Sequence, residues 1–181
     1  MGPRNTYDPD RRDLDQLFLA TYDELRRLAS SVRRSDPYAT LSPTTLVHEA
    51  WLKLAGSERF AADSQLHFKR IAGRAMRQVL VEIARRRNAS KRAGGSSAVL
   101  VTFDDSLGVA GSCERDLLAL DAALQELATM NPRQAAMVES RFFGGLNTTE
   151  IAELLEVSEA TIVRDWRTAK AWLARELRQA P

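Results

Sequence analysis

The 181-residue sequence has a single cysteine, Cys113, so it can hold neither a disulfide framework nor a cysteine-rich metal site. Its two histidines, His48 and His67, are separated by a whole predicted loop and have no cysteine or carboxylate set at ligand spacing, which argues against a metal centre. No apolar run reaches membrane-spanning length and no signal peptide opens the chain, so the expected location is the cytoplasm, with no membrane partner. Nothing in the sequence pairs a nucleophile with a base, cradles a phosphate or sets two carboxylates together; neither an enzyme nor a cofactor is expected. Alternating strand patterns and internal repeats are also missing. The expected fold class is all-α, built as two small helical domains.

What is present is unevenly distributed charge. The net charge is only +2, yet residues 65–92 carry nine Lys/Arg against one acid, Glu82, so the rest of the chain is acidic. A solvated helix end would explain one or two of these cations, since the helix dipole favours them there. Nine with almost no acid between them point to a localised polyanion site. Nucleic acid is the preferred ligand, ahead of an RNA or protein surface.

Residues 1–12 are polar, contain Pro3 and Pro9, and read as an arm. Leu14, Leu17, Phe18, Leu25, Leu28 and Val32 keep helical spacing between Asp13 and Arg34. A second helix starts at Ser42-Pro43, a cap followed by a proline suited to the first helical position, and buries Leu46, Val47, Ala50, Trp51 and Leu54. After a loop over 57–64 comes the longest helical pattern, Gln65 to Arg92. Phe68, Ile71, Ala72, Ala75, Met76, Val79 and Ile83 lie on one side of it and the arginines on the other. Residues 93–113 are rich in Gly and Ser and read as a flexible linker, although Val99-Leu100-Val101 could dock on a neighbour. The second domain, 114–181, opens with Leu117, Leu120, Leu124 and Leu127 on one helix. Its next helix starts at Asn131-Pro132, buries Met137, Val138 and Phe142, and stops at Gly144-Gly145.

The chain then closes with a helix-turn-helix over Asn147–Trp172. Asn147 and Glu150 form a capping-box pattern, and Ile151, Leu154 and Leu155 make an apolar stripe. Glu156-Val157-Ser158 breaks the helix, and Ser158 can cap the next one. That helix buries Ile162, Trp166 and Trp172. It turns Glu159, Ala160, Thr161, Arg164, Arg167 and Lys170 outward, with short polar groups first and cations behind, as a major groove requires. An ordinary helical hairpin is the alternative.

In combination these pieces resemble an extracytoplasmic-function (ECF) sigma factor of the sigma-70 family, over about residues 13–177. NPRQAAMVESRFFGGLNTTEIAELLEVSEATIVRDWRTAKAWL looks like the family's region 4, LVHEAWLKL like region 2.2, and FKRIAGRAMRQVLVEIARRR like regions 2.3 and 2.4. The resemblance implies a region 2 domain over 13–92 and a region 4 domain over 114–181. It implies two partners, bacterial core RNA polymerase and promoter DNA. For the −10 element it points to Phe60, Asp63, Ser64, Gln65, Arg74, Arg77, Gln78, Arg85 and Arg86. Phe68 is a further candidate for the wall of the base pocket, though plain core suits it better. For the −35 element it points to Ser158, Glu159, Thr161, Arg164, Arg167 and Lys170. For polymerase it points to Leu46, Val47, Glu49 and Trp51.

The sequence departs from the family in two places. Glu156 stands where the motif usually has glycine; a left-handed conformation there would cost roughly 1–2 kcal/mol. Region 2.2 usually opens with an acidic cluster, whereas here Ser42-Pro43-Thr44-Thr45 are uncharged. A phosphate would restore about −1.5 to −2 charges at a helix start that favours anions. The chain in this respect resembles a sigma subgroup thought to be activated by a Ser/Thr protein kinase. Thr44, then Thr45 and Ser42, are the candidate phosphosites. The competing reading makes Ser42 and Thr44 plain caps, with Glu49 and apolar contacts sufficient for polymerase. Two other functions compete with the sigma reading: a free-standing helix-turn-helix regulator binding operator DNA without polymerase, and a kinase substrate that sequesters a partner.

Overall fold

Helices form where apolar side chains recur at helical spacing, and most begin at the expected caps. The structure is a computed structural model that describes residues 9–33, 42–56, 64–91, 100–102 and 114–179. The first helix, α1, spans Pro9–Arg33. It starts four residues ahead of Asp13, because Pro9 lacks an N–H and has φ preset for a first helical turn. The arm is shorter than expected by those residues. α1 buries Leu14, Leu25 and Ala29 together with Thr21, whose Oγ1 donates to the Leu17 carbonyl at 2.7 Å and so is satisfied inside the core.

Helix α2, Pro43–Ala55, begins as its sequence says: Ser42 Oγ accepts from the Thr45 N–H at 3.0 Å and Pro43 takes the first position. Its buried positions are Leu46, Val47, Ala50 and Leu54. Trp51 is half-buried and stacks on Phe18 of α1 with ring centroids 4.5 Å apart.

Helix α3, Gln65–Lys91, is buried on two sides rather than one. Phe68, Ala72 and Met76, four residues apart, pack with Leu25 of α1 and Val47, Ala50 and Leu54 of α2. Gly73, Leu80, Val81 and Ala84 are buried as well, and α3 also lies against the helices that follow. One apolar face was expected from the sequence. The second is made of small and medium side chains interleaved with arginines, which mask it in a hydropathy pattern.

Two short strands interrupt the all-helical plan: β1, Leu100–Thr102, and β2, Glu114–Asp116, pair antiparallel with Val101 opposite Arg115. The helix expected from Glu114 therefore begins at Leu117. β1 lies against α1, so part of the expected linker is docked; its other residues, 93–99 and 103–113, lie outside the described residues. Helix α4, Leu117–Met130, buries Leu117, Leu120, Leu124 and Leu127 as expected, and Asp121 with them. Helix α5, Pro132–Phe142, starts under an Asn131 cap (Gln134 N–H to Oδ1, 3.2 Å) and buries Met137 and Val138. Phe143 rather than Phe142 fills the core at its end. Phe142 is half-buried and packs on Trp166. Helices α6, Thr148–Leu154, and α7, Glu159–Gln179, complete the chain.

The two helical units share one continuous apolar core through α3. The closest approach is at Gly73. A Cβ there would stand 2.5 Å from the Phe143 carbonyl carbon and oxygen, so only glycine lets α3 touch the turn after α5.

Phe68 is fully buried, which makes it a core residue and removes it from the base-pocket candidates. Phe68→Ala should cost about 3–5 kcal/mol in urea unfolding. A loss below about 1 kcal/mol would mean that the side chain is not packed as described.

Candidate nucleic-acid interface

The turn between α6 and α7 is built from backbone hydrogen bonds. The Asn147 side chain accepts from the Glu150 N–H (2.9 Å), and Glu150 accepts from the Asn147 N–H (2.8 Å), closing the capping box. At the other end of α6 the Val157 N–H reaches the Ala152 carbonyl (3.0 Å) and the Glu156 N–H reaches that of Glu153 (3.2 Å). This nested pair is a Schellman stop, which needs a left-handed residue at its penultimate position. Glu156 supplies it with φ of 54°. The missing glycine therefore leaves the turn intact and adds strain to it. Ser158 then caps α7: its Oγ accepts from the Thr161 N–H at 3.2 Å and lies 2.9 Å from the Thr161 hydroxyl. Glu159 accepts from the Thr149 hydroxyl at 2.8 Å, tying the start of α7 to the start of α6.

Helix α7 is held on its inner side by Ile162, Ala169 and Leu173, with Asp165 buried among them. Asp165 accepts from Arg133 of α5 at 2.9 Å, so the buried carboxylate is paired. Trp166 and Trp172, expected in the core, are half-buried. Arg141 lies 4.7 Å above the Trp166 ring and donates to the Thr148 hydroxyl at 3.2 Å, joining α5, α6 and α7. Burial lowers the Arg141 pKa from its ordinary value, but a guanidinium remains charged at neutral pH. Nothing in its local sequence separates this structural arginine from the outward ones; its position in the last turn of α5, just ahead of the Gly144-Gly145 turn, is the available signal.

Outward from this frame stand Ser158, Glu159, Arg164 and Arg167, all exposed, with Thr161 and Lys170 half-buried beside them. Arg164 and Arg167 make no ion pair among the described residues. Two uncommitted guanidiniums behind a hydroxyl-lined helix start present donors to a groove and its phosphates.

The family model for ECF sigma factors matches residues 5–179. The chain belongs to the ECF sigma factors. No curated protein and no solved structure matches it. As a member of this family the chain is an alternative sigma factor, acting with core RNA polymerase on promoter DNA in transcription initiation. No described helix is long and apolar enough to cross a membrane.

Elsewhere the sigma factor distributes its candidate residues unevenly. Phe60 and Asp63 lie outside the described residues. Ser64 caps α3 through the His67 N–H (3.2 Å), and Gln65 beside it is exposed. Arg74, Gln78, Arg85 and Arg86 are exposed along α3. Arg77 departs from expectation: its side chain is 13% exposed and is held by two carboxylates of the second unit, Asp121 and Glu139. Two polymerase candidates also need correction. Leu46 and Val47 are each 1% exposed, because they occupy the α2 positions facing α1 and α3, and they offer no surface to a partner. Glu49 is exposed and Trp51 half-buried. Leu52, on the otherwise polar face of α2, is 62% exposed and was not singled out from the sequence.

The geometry of the turn makes a specific expectation. Glu156→Gly should stabilise the protein by about 0.5–1 kcal/mol, the relief of left-handed strain less the entropy of glycine. Asn147→Ala should cost about 1 kcal/mol by removing a cap. Both are read from thermal or urea unfolding.

Proposed function

We propose that the sigma factor divides promoter recognition between its two ends. Residues 13–92 act as region 2, with Ser64, Gln65, Arg74, Gln78, Arg85 and Arg86 of α3 taking the −10 element, joined by Phe60, Asp63 and, once freed, Arg77. Residues 114–181 act as region 4, with α7 in the major groove of the −35 element and Ser158, Thr161, Arg164, Arg167 and Lys170 toward DNA. The observation that carries this reading is the exposed Arg164 and Arg167 behind the Ser158 cap, neither in an ion pair among the described residues. Cations placed this way strengthen phosphate contacts and read guanine. The polymerase surface in this reading includes Glu49 and Trp51, with Leu52 beside them.

The finer reading is a switch at the start of α2. Its first turn contains no acid. Ser42 Oγ accepts from the Thr45 N–H (3.0 Å) and lies 2.8 Å from the Thr45 hydroxyl, so both hydroxyls already take part in local hydrogen bonds at the cap. Thr44 is exposed, with its hydroxyl in no hydrogen bond among the described residues. A phosphate on Thr44 placed by a Ser/Thr kinase would add the missing anionic charge where the helix dipole favours it.

The test is binding to core RNA polymerase followed by run-off transcription. Arg164→Ala and Arg167→Ala should each lower promoter-dependent transcription and reduce the salt slope of promoter binding by about 1, with polymerase binding unchanged. Unaltered transcription in both would remove α7 from the −35 contact. Thr44→Glu should bind polymerase more tightly than wild type; equal binding by wild type, Thr44→Ala and Thr44→Glu would exclude the switch. A protein that shifts operator DNA alone and never binds polymerase would replace this reading by a free-standing regulator.

A further inference from the structure

A cleft of about 450 Å³ opens between α3 on one side and α4 and α5 on the other. Two contacts hold its walls at this spacing. Gly73 of α3 meets the backbone of Phe143 and Gly144. Arg77 reaches both opposite helices: its Nη1 donates to Glu139 Oε1 at 2.7 Å, and its Nη2 and Nε donate to Asp121 Oδ1 at 2.7 and 3.0 Å. The acids of the cleft are thereby neutralised. Asp121 and Glu139 are committed to Arg77, and Glu82 pairs with Lys53. Three further guanidiniums line the cleft, those of Arg70, Arg74 and Arg85. Arg70 and Arg74 make no ion pair among the described residues. The Arg85 side chain, 65% exposed, has a long contact of 3.4 Å with Asp121 Oδ2. The facing wall carries small apolar side chains, Ala128 of α4 with Pro132 and Ala136 of α5.

One wall is therefore cationic with its acids already paired, and the other is flat and apolar. Uncommitted guanidiniums are the side chains best suited to phosphate oxygens, which they grip with two parallel donors. Arg70 and Arg74 stand one helical turn apart, about 5–6 Å between Cβ atoms, so two linked phosphates can take one guanidinium each. A ring system attached to them meets the small side chains opposite, and the exposed Gln78 amide supplies a donor and an acceptor for its polar edge. The volume falls within the range of about 300–1,000 Å³ typical of small-ligand pockets, too small for a duplex or a continuous strand. We propose that this cleft binds a nucleoside di- or triphosphate, with its phosphates on Arg70 and Arg74 and its base against Ala128, Pro132 and Ala136. Arg77 serves the site by cancelling the two carboxylates that would otherwise repel the phosphates. The site is a small-molecule site, additional to promoter and polymerase contacts, and it stands whether or not α3 takes the −10 element.

The experiment uses the full chain without polymerase. Isothermal titration calorimetry gives affinity and stoichiometry for ATP, GTP and inorganic pyrophosphate, with a short single-stranded oligonucleotide for comparison, and thermal unfolding gives the change in Tm. One nucleotide per chain should bind, more tightly than pyrophosphate, and raise the Tm. Arg70→Ala and Arg74→Ala, each checked for helix content by circular dichroism, should weaken nucleotide and pyrophosphate alike by about tenfold or more, the loss of a charge-assisted hydrogen bond. Ala136→Gln, which fills the apolar wall, should weaken the nucleotide and spare pyrophosphate. Arg175→Ala, at an exposed arginine of α7 outside the cleft, should change neither. Equal losses in Arg175→Ala and Arg70→Ala would reduce the binding to general charge attraction and overturn the site. The absence of saturable binding by all three small probes would overturn it too. So would binding confined to the oligonucleotide, which would assign these arginines to nucleic acid alone. A nucleotide held no more tightly than pyrophosphate would overturn the place given to the base.

Discussion

Arg77 lies between two carboxylates of the other helical unit, and the relation of the two halves depends on how that charge is satisfied. A guanidinium buried to this degree must be paired, and its own helix offers no acid near it except Glu82, which pairs with Lys53 of α2. The partners come from α4 and α5. They can reach it because Gly73, one helical turn earlier, removes the side chain that would hold α5 away. Taking Arg77 away from this site would leave two neighbouring buried anions, the costly way to break such a group, whereas parting the units returns all three ions to water together.

Helix α3 is thereby the shared element of the molecule. One of its sides completes the core of α1 and α2 and another supports α4, α5 and the cap of α6. Its exposed cations run between. Helix α7 sits beyond this interface, fixed by the Arg133–Asp165 pair and by Arg141 on Trp166, and its outward arginines are free of it. A sigma factor built this way commits Arg77 of its basic helix to its own second unit while leaving Arg164 and Arg167 of α7 exposed.

Much of the local structure was legible in the sequence. Ser42-Pro43, Asn131-Pro132, Asn147 with Glu150, and Ser158 all mark helix starts, because capping is decided within four residues. Glu156 was marked as a turn residue open to strain by the family resemblance, which usually has glycine there, and its φ of 54° shows the left-handed conformation. The outward position of Arg164 and Arg167 on α7 followed from helical spacing. Less legible were the buried role of Leu46 and Val47 against a polymerase role, and the exposure of Leu52. An apolar residue at a helical position reads the same whether its neighbour is its own core or a partner. The pairing of Leu100–Thr102 with Glu114–Asp116 escaped as well, since three-residue strands carry no usable periodicity.

The sequence by itself determined the helices, their caps, the helix-turn-helix and the concentration of positive charge on α3, because each is set by interactions spanning one or two turns. Only the tertiary structure decided which of those charges are available. Arg74 and Arg77 are three residues apart on one basic helix and look alike in sequence. One faces solvent and the other is held by Asp121 and Glu139, 44 and 62 positions along the chain. That difference comes from the packing of α3 on α4 and α5 across Gly73, a contact between distant segments to which no local pattern corresponds.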